Sequence, residues 1–75
     1  MAMTGSLMFL KRLRKADQVR SYSITATPTG WEVRQVQDSR VVKQTQYDDW
    51  HRVERARRAF VIEMSSLREE GWQEM

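Results

Sequence analysis

The chain has no cysteine, which excludes disulfide staples, thiolate metal sites and thiol nucleophiles. Histidine occurs once, at His51, and one imidazole without a thiolate falls short of a zinc ligand set. Proline also occurs once. The three glycines, Gly5, Gly30 and Gly71, stand too far apart to form a phosphate-cradling loop. No apolar run exceeds four residues, Leu7–Leu10 among them. A membrane span needs roughly 20, and a secretory core about 7–15. The expectations are a cytoplasmic protein with no membrane partner, no metal and no cofactor. No nucleophile–base constellation is readable either, so the chain is expected not to be an enzyme.

The 75 residues make one domain at most. A domain of this size buries only about 60% of its unfolded surface, so a few large side chains must carry its stability. Residues are 40% hydrophobic and 31% charged, a balance that permits a folded core. The net charge of +3 is unevenly placed. Residues 1–47 carry 8 basic and 3 acidic side chains (+5), whereas residues 48–75 carry 5 and 7 (−2). The densest basic patch is Lys11, Arg12, Arg14 and Lys15. Such asymmetry suits a polyanion partner, and equally suits simple solubility.

Residues 1–6 show no periodicity and are expected to be a disordered tail before a single domain at 7–75. Leu7–Lys15 reads two ways. Leu7, Leu10 and Leu13 lie three apart, as on a helix, while Met8 with Leu10 and Phe9 with Leu13 could equally fill the two faces of a strand. Arg20–Thr27 alternates with period two, placing Tyr22, Ile24 and Ala26 against Ser21, Ser23 and Thr25. Thr27-Pro28-Thr29-Gly30 predicts a turn, with Pro28 presetting φ. Trp31–Gln37 follows as a strand. Trp31 and Val33 share a face that Val36 leaves, so either a bulge near Arg34-Gln35 shifts the register or Val36 points outward. Asp38-Ser39 predicts the next reversal and Arg40–Tyr47 the next strand, with Val41 and Tyr47 of one parity and Val42 of the other.

From Val53, counting about 100° per residue gathers Trp50, Ala56, Phe60, Met64 and Leu67 within roughly 60°, the stripe of an amphipathic helix. Asp48 or Asp49 suits its N-cap. Glu54 and Arg58 form an i,i+4 pair. Gly71 reads as a left-handed C′ residue that would fold Trp72 back onto Leu67. Arg57 lies about 40° from the stripe centre, either snorkelling from the core edge or paired with a carboxylate or anion. The predicted fold is α+β: a small antiparallel sheet of three to four strands packed by one C-terminal helix, in the order β-β-β-β-α.

The order of elements resembles the WGR domain. The pieces that carry the resemblance are Met8–Leu13, Tyr22-Ser23-Ile24-Thr25, Gly30-Trp31-Glu32-Val33-Arg34, Tyr47-Asp48-Asp49 and Leu67–Trp72. It spans residues 8–72 as a pattern. The hallmark Trp-Gly-Arg is replaced by Gln35-Val36-Gln37-Asp38, so no DNA-contacting residue carries over. What the resemblance implies is the antiparallel sheet with one helix, and an inclination toward nucleic acid.

Two functional readings follow. In the first, the chain is a small binding module for nucleic acid without sequence preference. Lys11, Arg12, Arg14 and Lys15 would reach phosphates, joined by Arg34 and Lys43 on the sheet face turned from the helix, with Ser21, Ser23 and Thr25 positioning the backbone. Trp31 is the one candidate for an exposed aromatic platform. In the second, the chain is a protein-interaction module, a homodimer that hides an edge strand or the apolar part of Leu7–Leu13.

Overall fold

A computed structural model of the protein describes residues 6–75. Its elements are β1 (Ser6–Lys15), β2 (Gln18–Thr27), β3 (Gly30–Gln37), β4 (Arg40–Tyr47), the helix α1 (Trp50–Glu69) and a short β5 (Gln73–Glu74). The strands form one antiparallel sheet in the order β4-β3-β2-β1-β5, with α1 across one face. The expected α+β order is therefore present, and the sheet has five strands where three to four are predicted, the fifth being only two residues long. The expected N-terminal tail lies outside the described residues, except for Ser6, which begins β1.

The ambiguous Leu7–Lys15 segment is a strand. A register shift between Leu7 and Phe9 turns Phe9 and Leu13 toward α1. Leu13 is wholly buried, whereas Leu7 and Leu10 are exposed, which is the opposite of a helix face through the three leucines. In β3, Val36 pairs with Ser21 in unbroken register with β2 and lies on the face away from α1. The irregularity falls instead on β4, where Val42 is the extra residue between the Val36–Val41 and Gln35–Lys43 pairs. That bulge flips the strand's sides. Tyr47 faces α1 across from Trp31, while Val41 joins Val36 on the far face, so the two do not share a face as their parity predicts.

The turns follow their chemistry. Asp38 and Ser39 both take positive φ, 50° and 69°, the pair of left-handed residues that a two-residue hairpin with the right twist requires. Asp38 also fastens this turn to β2. Its amide donates to the Val19 carbonyl (2.9 Å), and its Oδ1 accepts from the Val19 amide (2.9 Å). Pro28 and Thr29 join β2 to β3, and Gly30 begins β3 at φ +147°.

The Asp49 carboxylate caps α1 by accepting from the His51 amide (2.9 Å). The core beneath the helix joins Leu13, Tyr22, Ile24 and Val33 of the sheet to Val53, Phe60, Met64, Leu67 and Trp72. Tyr22 meets Phe60 at 4.8 Å between centroids, and Trp31 meets Trp50 at 5.3 Å. Trp31 is thus half-buried against the helix and forms no open platform. At the helix end the Trp72 amide donates to the Leu67 carbonyl (3.0 Å) and the Gly71 amide to Arg68 (3.1 Å), the two bonds of a Schellman cap. Glu54 pairs with Arg57 (3.0 Å, i,i+3) rather than with Arg58. Arg57 is therefore a partly exposed ion-pair partner.

Candidate functional site

Strand alternation separates neighbours in sequence. Lys11 and Lys15 fall on the α1 side of β1, Arg12 and Arg14 on the other. Both lysines are engaged within the fold. Lys11 pairs with Glu74 (3.0 Å), and with Arg68 it holds the Glu74 carboxyl below its ordinary range. Lys15 donates to the Glu70 carbonyl (2.8 Å), where the helix dipole favours a cation. On the open face Arg12 lies in an open hollow with Asp17 and Asp38. Arg34 is paired there with Glu32 (3.1 Å), which also accepts from Gln44 (2.6 Å). The expected basic face thus carries Arg12, Arg14 and Arg34 interleaved with three carboxylates, Asp17, Glu32 and Asp38.

Lys43 lies on the opposite side from the one expected. The bulge at Val42 places it across from Gln35, on the α1 side. There it meets Arg52 and Arg55 at a cleft of about 400 Å³ between α1 and the β3–β4 edge. The cleft exists because this flank of the helix carries Ala56 and Ala59, too short to reach the sheet. Val33, Ala56, Ala59 and Phe60 make an apolar floor, and Gln35, Thr45 and Tyr47 a polar rim. No carboxylate lines it. Among the described residues, every ion pair lies elsewhere, so Lys43, Arg52 and Arg55 face the cleft without an acidic partner.

Glu63, which meets the rim through Gln35, is already engaged. Its Oε2 accepts from the Tyr22 hydroxyl (2.7 Å) and from Gln35 Nε2 (3.4 Å), and Arg20 lies 3.5 Å away. The Arg20 guanidinium in turn sits over the Trp72 ring at 5.0 Å. Burial, and then the Glu63 carboxylate, push the Tyr22 phenol up to about 12. The network therefore holds a proton rather than activating a base. It has a measurable consequence. The unfolded chain releases the phenol proton near the ordinary value of 10.0, before the folded protein does. Stability from this group is full below that pH and declines as the pH rises toward about 12. Urea unfolding followed from about pH 8 to about pH 11 should show this decline, reduced in Tyr22→Phe. Equal slopes in the two proteins would remove the assignment.

Arg52 and Arg55 were not legible as site residues, because the segment 48–75 is acidic in total. Of its seven acids, four (Glu63, Glu69, Glu70 and Glu74) come late, and Asp48, Asp49 and Glu54 stand at the start, whereas the first half of α1 is rich in arginine. The signal that could have found the pair is their i,i+3 spacing on the same flank as Ala56 and Ala59. Among the described residues there is no group of three or more side chains able to hold a metal ion, and no helix long and apolar enough to cross a membrane. No family model, no curated protein and no solved structure matches this chain.

Proposed function

We propose that the chain is a non-enzymatic binding module that holds nucleic acid weakly and without sequence preference, its cleft between α1 and the β3–β4 edge receiving the phosphates. The observation that carries this reading is the convergence of Lys43, Arg52 and Arg55 on one cleft with no carboxylate in its lining. Arg12 and Arg14 add cations on the far face. Lys11 and Lys15 contribute less, because each already has an internal partner. The pattern of elements shared with the WGR domain points the same way.

Affinity should be micromolar or weaker at physiological salt, in the non-specific range of about 10⁻⁴–10⁻⁶ M. Three phosphate contacts predict a slope of log K against log salt of roughly −2 to −3. Titration of fluorescent oligonucleotides at several salt concentrations measures it. Changing Lys43, Arg52 and Arg55 together to Gln should flatten the slope, while changing Lys11 and Lys15 to Gln should leave it. Absence of binding at about 50 mM salt, where such contacts are strongest, overturns the reading.

A second reading rests on a different observation. Leu7, Met8 and Leu10 are exposed along the part of β1 that β5 does not cover. Among the described residues nothing pairs with this stretch of the edge, and such an apolar edge suits pairing with a second copy. A mass that rises with concentration in light scattering would favour it.

A further inference from the structure

We infer that the cleft is a nucleotide subsite, which takes one unpaired nucleotide with its phosphate on Lys43, Arg52 and Arg55 and its base on the apolar floor. The inference rests on the nucleic-acid reading and specifies what enters the site. A surface that only attracts a phosphate backbone needs no apolar lining. This one is a half-open cleft of about 400 Å³, no larger than the hollows beside Arg12 and Lys15, and it differs from them in joining apolar side chains to three cations with no carboxylate among the described residues that line it. Its volume is one that a small organic ligand can use, about 300–1,000 Å³. A lone phosphate would occupy the cationic corner and leave Ala56, Ala59 and the small open edges of Val33 and Phe60 against water. A nucleotide matches both parts, an anion joined to a flat ring with polar edges.

The rim supplies the edge chemistry. Gln35 gives an amide N–H to Glu63, which leaves its carbonyl oxygen as an acceptor for a base amino or ring N–H. Thr45 and Tyr47 bring hydroxyls that donate or accept. A base inside a duplex is stacked and cannot enter such a site without leaving the helix. The cleft should therefore prefer single strands to duplex, although no aromatic side chain is displayed on the open sheet face.

The test is an amide-shift NMR titration of the whole chain with adenosine 5′-monophosphate, adenosine and inorganic phosphate in separate arms. A single-stranded oligonucleotide and its duplex form two further arms. Adenosine monophosphate should bind at about millimolar concentration, shifting Gln35, Thr45 and Arg55, at least about tenfold more tightly than phosphate or adenosine alone. The single strand should bind at least about tenfold more tightly than the duplex. Ala59→Leu, at an exposed position, fills the floor and leaves the cations in place. It should erase the preference for nucleotide over phosphate while the protein keeps its melting temperature. If oligonucleotides bind with the expected salt slope but the nucleotide shifts no cleft residue, the subsite is overturned and the nucleic-acid reading stands. If phosphate binds as well as the nucleotide, the cleft is a plain anion site and the subsite is again overturned. Nucleotide binding in the cleft without oligonucleotide binding supports the subsite, assigns it to free nucleotide and overturns the nucleic-acid reading.

Discussion

Gly30→Ala should destabilise the protein by about 3 kcal/mol or more, while Gly71→Ala should cost only about 1 kcal/mol. Both glycines hold positive φ, +147° at Gly30 and +104° at Gly71. The difference is what a side chain would meet. At Gly71 a Cβ finds only the flexible end of Lys15, 3.7 Å away, so the cost is the backbone conformation alone. At Gly30 it would press into the carbonyl oxygen of Tyr47, with the Asp48 Cα at 3.1 Å. Neither neighbour is a side chain that can swing aside. Tyr47 and Asp48 end β4 and lead directly into the cap of α1, so a shift there is transmitted to the helix start. Urea unfolding of the two variants provides the comparison, and equal losses would refute the backbone-contact account.

Trp72→Ala should cost about 3–5 kcal/mol, the usual range for removing a large aromatic from a core. Trp72 lies beyond the helix, yet it is only 6% exposed. The cap carries it back onto Leu67, and Arg20 covers its ring. Removing the ring therefore opens a cavity and uncovers the arginine whose other partner is Glu63. For a domain of this size, each 1 kcal/mol lowers the melting temperature by roughly 4–8 °C, so the loss should exceed about 12 °C. Trp72→Phe should recover part of it. A variant that melts like the parent would mean that Trp72 is a frayed end.

β2, β3, β4 and the helix were readable from their periods, and the turn residues Pro28, Gly30, Asp38 and Ser39 mark the reversals, whereas β1 reads equally as helix or strand because its leucines lie three apart. The Schellman cap was readable because Gly71 and Trp72 stand at the positions that such a cap needs. The bulges at Met8 and Val42 have no residue signature, and each moves every later side chain to the other face. That is why Lys43 was placed on the wrong side of the sheet. β5 was invisible for another reason. Two polar residues, Gln73 and Glu74, become a strand only because the cap delivers them to the edge of β1. The site was the least legible part. A basic run within a strand is divided between two faces, whereas Lys43, Arg52 and Arg55 meet only after the helix has docked.

The short β5 also sets where the molecule opens first. It is held to β1 by the Leu13–Glu74 and Arg14–Gln73 pairs, and the Met75 amide donates to the Arg12 carbonyl (2.9 Å). These few bonds join segments about 60 residues apart, whereas every other ladder joins consecutive strands. Trp72 and the cap have already closed that long loop, so the clasp itself rests only on a few exposed bonds beyond Trp72 and releases early. Amide protons there should exchange with solvent through local opening, while those of β2 and β3, flanked on both sides, wait for global unfolding. The last residues thus behave as a latch, able to leave β1 while the meander and the cleft on its far edge remain assembled.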